Sequence, residues 1–457
     1  MNPEQSVGKT TLEELKSEEL LRHIVLDFRQ MKQFIEHPLI MASADGIRYK
    51  DIEGKEYIDG LSGVYVVNVG HNNRKIIEAM KADMNHFVFA PPLHGTNPTA
   101  IRLAKLLSEV SPGDLNTIKL LSGGSEVTEG AMKMARQYHA QTDHPKKYKV
   151  VSLYTSYHGA TMGAMAATGC KRRKSVFEPL LEGFIHVHPH YCYRCPFGQE
   201  YPDCGITCAK IVEETIEMED PETIASMIVE PIINTGGILT PPPEYLPLIR
   251  KITQKHNIIL IFDEIITGFG RTGRMFGSQT FGVIPDIICC GKGMSSGYAP
   301  LAAMLISDEV YQAFWGEPSQ NVEFSEGHTY GCHQIAAAAG IAAIEELLRR
   351  KLPENAQKVG DYLTQRLKEL DDELGIFGEI RGKGLMVGVE LVKDKKTKAK
   401  FEDGFGKKVG EEVMERGLIL RTEADWFAIA PPLITTEEDI DEIIMILRES
   451  LIAALKP

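Results

Sequence analysis

At 457 residues with a formal net charge of −13, the chain is long enough for two packed units and repels phosphate backbones and anionic lipid surfaces. Its 43% hydrophobic and 25% charged residues are those of an ordinary globular protein, and no uninterrupted apolar run reaches membrane length. No nucleic acid or membrane partner is expected. The opening Met-Asn-Pro-Glu-Gln-Ser lacks a basic region followed by an apolar stretch, so a cytoplasmic location is expected.

In chain order, residues 11–36 carry an irregular apolar stripe (Leu12, Leu15, Leu20, Leu21, Ile24, Phe28) that predicts a helix. Alternation from Ile47 to Tyr57 around Asp51–Gly54 predicts a hairpin with a tight turn. Short apolar runs then recur at Val150–Leu153, Ile224–Val229, Ile258–Phe262 and Ile287–Cys290, with helical patterns such as Tyr245–Gln254 between them. That alternation predicts a largely parallel sheet covered on both faces, whose ligands sit beyond the carboxyl ends of the strands. After Gly327 the pattern changes. Helices are expected at Ala336–Arg350, Val359–Leu370, Phe405–Arg416 and Glu437–Leu455, with strands at Gly384–Val392 and Leu418–Arg421, which reads as a smaller α+β unit. The expected division is 1–65 packing with the small unit, 66–330 as the large domain and 331–457 as the small domain. The lysine cluster from Lys393 to Lys400 reads as a solvated loop.

Two strand ends carry candidate chemistry. Ile-Ile-Cys-Cys-Gly-Lys-Gly ends an apolar strand at Lys292, and Ile-Ile-Leu-Ile-Phe-Asp ends another at Asp263. A lone lysine after a strand is ordinarily a solvated turn residue, and a lone aspartate is ordinarily a cap. Together they point to a Schiff-base lysine and a carboxylate holding a pyridinium nitrogen. Ser-Gly-Gly-Ser-Glu (122–126) opens a helix, where free amides and the dipole favour an anion by roughly a kcal/mol, with Gly124 and Ser125 as the contacts; a simple capped helix is the alternative. Tyr157, at a strand end, is placed to stack on a flat cofactor; taken alone it reads as a packing residue. Gly268–Gly273 matches G-x-G-x-x-G, but the strand has already ended at Asp263, no helix pattern follows and the ribose-binding acid is missing.

These segments, in the order Ser-Gly-Gly-Ser-Glu, Tyr-His-Gly, Val-Glu-Pro, Phe-Asp-Glu-Ile-Ile-Thr-Gly-Phe-Gly-Arg-Thr-Gly, Gly-Lys-Gly and His-Thr-Tyr-Gly, closely resemble the class III (omega) pyridoxal-phosphate aminotransferases from about Pro38 to Pro432. The resemblance implies an α/β protein of the pyridoxal-phosphate-dependent transferase fold type I, with a large, mostly parallel sheet covered by helices and a smaller α+β domain. It implies pyridoxal 5'-phosphate bound to Lys292, Asp263 at the ring nitrogen, Tyr157 against the ring, and Gly124 with Ser125 at the phosphate. It further implies Thr329 reaching the phosphate of a neighbouring subunit, hence a homodimer or dimer of dimers with its active site at the subunit interface. Glu230 of Val-Glu-Pro matches an acid near the site and receives no definite role.

Substrate choice turns on departures from the pattern. Relatives acting on ornithine derivatives or 4-aminobutyrate with 2-oxoglutarate carry His-Gly-Arg-Thr, where this chain has Ala160, and a glutamate where it has Thr235. Arg421 matches the mobile arginine of pyruvate-using members, whose planar fork grips a carboxylate and swings aside for an apolar group. Tyr65 falls where the family places an aromatic pocket wall, while Phe89–His94 supplies prolines and a leucine to the small pocket. The expected small-molecule partners are an amine donor (an omega-amino acid, diamine or arylalkyl amine) and a keto-acid acceptor, pyruvate, which becomes alanine by a ping-pong route. Alternatives are taurine, β-alanine or 4-aminobutyrate transfer, or a related aminomutase or decarboxylase. The most distant alternative is a non-catalytic metal module. Its motivation is the insertion 186–210, with Cys192, Cys195, Cys204 and Cys208 preceded by His186, His188 and His190. The second cysteine pair breaks the C-x-x-C repeat, so reduced, packed thiols are expected there, with no metal.

Overall fold

The computed structural model describes residues 11–456 except 88 and 403; the opening six residues read for a leader lie outside the described residues. The large sheet has seven strands: β1 Thr117–Leu121, β2 Lys149–Leu153, β3 Phe184–Val187, β4 Ile224–Val229, β5 Ile259–Asp263, β6 Ile287–Cys290 and β7 Ala302–Ile306. Their spatial order is β1-β7-β6-β5-β4-β2-β3. Neighbours from β6 through β3 pair in parallel, whereas β7 runs antiparallel to both β1 and β6.

Central strands read as continuous apolar runs because both faces are covered. Ile261, Ile287 and Cys289 pack with Val127, Ala131 and Met134 of the helix Gly124–Gln141. Leu260, Phe262, Ile288 and Cys290 point the other way, into the core shared with the helix Tyr245–Lys255. Alternate residues therefore belong to opposite cores. Asp263 shares the face of Ile261, and its register partner on β6 is Cys289. The parallel pairing thus brings Asp263 and the turn after Cys290, which holds Lys292, to the same end of adjacent strands.

The amino-terminal hairpin forms with strands Arg48–Asp51 and Glu56–Asp59, and the Asp51 carboxylate closes its turn by accepting from the Glu53 and Lys55 amides, both at 2.9 Å. Leu418–Ile419 joins this sheet in parallel beside Glu56–Asp59. A second small sheet, ordered Phe377–Gly382, Val387–Leu391, Trp426–Ile429 and Arg421–Thr422, is antiparallel throughout.

Two sequence expectations are corrected. Residues 11–36 form not one helix but three short ones, Leu12–Leu15, Glu18–Leu21 and Met31–Glu36. Thr11 and Ser17 supply separate N-caps, so the stripe is broken by its own start signals. Leu418–Arg421 is not one strand: the chain leaves the amino-terminal sheet after Ile419 and enters the carboxyl-terminal sheet at Arg421. That crossing sets Arg421 at the seam between the two small sheets.

The glycine-rich match at 268–273 is a loop that fastens the large sheet to these sheets. Its Arg271 is fully buried and donates to the carbonyls of Leu385 (3.0 Å) and Pro431 (2.6 Å), to the Ser62 hydroxyl (2.8 Å) and to the Asn68 side-chain oxygen (2.7 Å). Gly270 and Gly273 hold φ of +92° and +90°, which a side chain would strain.

Candidate active site

A cavity of about 220 Å³ opens beyond the carboxyl ends of β2, β4, β5 and β6, where open parallel sheets bind ligands. Gly124, Ser125, Tyr157, Glu230, Asp263 and Lys292 all line it. Lys292 has φ +42°, an uncommon backbone for a residue with a side chain, of the kind that clusters at functional sites and costs about 1–3 kcal/mol. Burial lowers its amine to about 8; Arg421 adds to that lowering, and Asp263 and Glu230 oppose it.

Asp263 is 5% exposed. Its carboxylate lies 2.8 Å from Nδ1 of the buried His158 and accepts from the Ile265 amide at 3.2 Å. His158 stands in the Tyr-His-Gly phrase, but nothing local in the sequence marks it as the partner of an acid 105 positions away. Glu230 accepts from the backbone amides of Tyr157 (2.9 Å) and Asn234 (3.1 Å), and burial raises its carboxyl to about 7. The structure thus gives Glu230 a definite place: it fixes the segment that carries Tyr157.

At the far end of the cavity, Gly124 begins the helix Gly124–Gln141, whose N-cap, Gly123, offers no side-chain hydrogen bond to the first amides. The Ser125 hydroxyl accepts from the Ala160 amide at 2.9 Å, and a Cβ on Gly159 would stand 2.6 Å from that hydroxyl. Only glycine at 159 lets the two segments meet.

Tyr65 is 1% exposed, and its ring centroid lies 5.9 Å from the Lys292 amine. Its hydroxyl has no hydrogen-bond partner among the described residues, and burial raises it to about 12 against the pull of Arg421. Arg421 lies over the Trp426 ring at 4.9 Å and donates to Glu423 at 3.2 and 3.3 Å. Glu423 in turn accepts from both terminal guanidinium nitrogens of Arg172. Sequence reasoning missed Arg172 and Glu423, since neither stands in a motif.

Thr329 does not join this group. Within one chain it lines a separate cleft of about 750 Å³ with Phe89, Pro92, Leu93, Lys119 and His328. Cys192, Cys195, Cys204 and Cys208 line a small cavity of about 20 Å³ as free thiols. Among the described residues, the group whose ligand atoms come close enough to share an ion is instead Glu213, Glu217 and His256. There the Lys255 ammonium already holds Glu213 at 2.7 Å and Glu217 at 3.4 Å.

The family model described as aminotransferase class-III matches residues 31–451. The chain belongs to the class-III aminotransferases. This class-III aminotransferase is 37% identical over 424 residues to the taurine–pyruvate aminotransferase of Bilophila wadsworthia, covering 91% of the chain and 92% of that relative. It is 33% identical over 428 residues to the putrescine–pyruvate aminotransferase of Pseudomonas aeruginosa, covering 93% and 92%. A solved (S)-enantioselective omega-transaminase from Thermomicrobium roseum superposes with a TM-score of 0.93 at 38% identity, covering 98% of this chain and all of that one. The architecture is accordingly fold type I, and the enzyme depends on pyridoxal 5'-phosphate, working on a small-molecule amine and a keto acid. The residues around the cavity fit that cofactor in kind: an amine, a buried carboxylate and a bare helix start are partners suited to an aldehyde, a ring nitrogen and a phosphate. Among the described residues no helix is long and apolar enough to cross a membrane.

Proposed function

We propose that this aminotransferase moves a primary amino group from an omega-amino acid, diamine or arylalkyl amine to pyruvate, releasing alanine. The observation that carries the reading is Arg421 at the seam between the two small sheets, with Ala160 and Thr235 where relatives that use 2-oxoglutarate carry charged groups. The Thr235 hydroxyl is occupied on the Thr155 carbonyl. Without an arginine at 160 to act with Arg421, the pocket suits a monocarboxylate acceptor better than a dicarboxylate.

Bound pyridoxal phosphate supplies the electron sink for the carbanion left when the amine-bearing carbon loses its proton. Lys292 would be the base that takes and returns that proton, and burial keeps a useful fraction of its amine neutral near pH 8. Asp263, oriented by His158, would hold the proton on the ring nitrogen. Tyr157, fixed through Glu230, would lie against the cofactor ring, and the amides of Gly124 and Ser125 would hold the phosphate. Tyr65 walls the substrate side. Thr329 would reach the phosphate from a second copy of the chain, which would make the working unit a homodimer. Its position in a cleft apart from the Lys292 cavity supports that arrangement.

Taurine or β-alanine as donor is a second reading, supported by the 37% identity to a taurine–pyruvate enzyme. The test is a donor panel offered with pyruvate and with 2-oxoglutarate, scored by alanine and glutamate release. Stoichiometric alanine is expected. Much faster use of 2-oxoglutarate with every donor would overturn the acceptor, and product without alanine would point to an aminomutase or decarboxylase.

A further inference from the structure

Arg421 is already engaged. Its Nε and one terminal nitrogen both face the same Glu423 oxygen, at 3.3 and 3.2 Å. On the other side, Arg172 grips both oxygens of Glu423, one of them at 2.5 Å. Glu423 is thus a carboxylate between two guanidinium groups, the position a substrate carboxylate would seek. The three residues differ in exposure: the Arg172 side chain is 61% exposed, while Glu423 and Arg421 are 15% and 14% exposed. Arg172 is therefore an outer anchor, and the Arg421–Glu423 contact is the shielded one. Burial pushes the Glu423 carboxyl up, but the hydrogen bonds from Arg172 and the charge of Arg421 outweigh it and hold the group below the usual carboxylate range. Glu423 is charged at neutral pH.

The geometry also explains why an internal partner is needed. When an amine without a carboxylate fills the pocket, a guanidinium this little exposed needs a partner from the protein itself. Arg421 reaches Glu423 two residues along the chain, over the Trp426 ring, without leaving its strand.

We propose that Glu423, anchored by Arg172, is the internal counter-ion on which Arg421 rests whenever the substrate brings no carboxylate, so that Glu423 sets the balance between carboxylate-bearing and carboxylate-free substrates. The proposal rests on the reading of Arg421 as the carboxylate partner. Glu423 is a positioning residue, since it acts through Arg421. A substrate carboxylate must displace Glu423, so apparent affinity is reduced by the fraction of Arg421 that is free.

The test is calorimetric titration of the holoenzyme with propanoate, an unreactive monocarboxylate, alongside rapid-mixing half-reactions with pyruvate and with 1-phenylethylamine. Glu423→Gln is expected to tighten propanoate and pyruvate about tenfold, the effect of raising the free fraction from about a tenth to nearly one. It should weaken 1-phenylethylamine several-fold. Arg172→Gln, at an exposed position, is expected to act in the opposite direction, because Glu423 then keeps Arg421 as its one partner. Both effects should vanish in an Arg421→Gln background; persistence there would reduce them to general surface charge and overturn the proposal. If Arg421→Gln by itself leaves propanoate and pyruvate unchanged, the carboxylate reading of Arg421 fails. If Arg421→Gln abolishes carboxylate binding while Glu423→Gln and Arg172→Gln change nothing, the counter-ion role alone fails.

Discussion

The two walls of the cavity are built differently. Asp263, Lys292, Glu230 and Tyr157 project from strand ends of one continuous sheet, where register alone brings them together. Tyr65 comes from the amino-terminal segment, and Arg421 and Glu423 come from a two-residue strand where the chain changes sheets and the residue after it. The first wall is held by backbone pairing and a packed core. The second is held by ion pairs and an aromatic face, whose partners can exchange at small cost. Under the proposed function, a rigid wall beside an adjustable one suits an enzyme whose two unlike substrates take turns in one pocket.

That contrast can be broken at its strongest point first. Lys292→Ala should lower turnover about a thousandfold or more with every donor and acceptor alike, and should abolish the absorbance of lysine-bound cofactor. Loss confined to one substrate class would place Lys292 on the wrong wall.

Next in size is the seam between the walls. Arg271→Ala removes a buried guanidinium that joins Ser62, Asn68, Leu385 and Pro431, and should destabilise the protein by about 3 kcal/mol in denaturant unfolding. A loss below about 1 kcal/mol would mean that the walls are fastened elsewhere.

The smallest effect is a titration. Burial lowers the Lys292 amine from 10.5 to about 8, so in the cofactor-free protein an amine-reactive reagent should modify it half-maximally near pH 8, with labelling rising as pH rises. The sign for stability follows. The unfolded chain holds this proton up to higher pH, so this group alone makes the cofactor-free fold more stable as pH rises from about 8 to 10.5. A labelling midpoint near 10 would describe a solvated amine instead.

Much of the fold was legible because its signals are local. The apolar runs at 150–153, 224–229 and 287–290 are strands, and the closing helix is Glu437–Leu455. Asp263 and Lys292 stood out because a charged group at the end of a buried strand conflicts with its surroundings. Less was legible where long-range partners decide. The antiparallel insertion of β7 between β1 and β6 leaves no periodicity of its own. The sequence argued against a dinucleotide loop at 268–273 but gave no sign that its arginine is consumed by contacts with residues more than a hundred positions away.

By itself, then, the sequence determined the order of motifs, the strand ends that carry the chemistry and the family to which they belong, since each depends on residues within a few positions of one another. The tertiary structure alone decided that His158 supports Asp263, that Glu230 fixes the segment of Tyr157, and that Arg172 and Arg421 share Glu423. Arg172 and Glu423 are 251 positions apart, and only the packing of the sheets makes them neighbours.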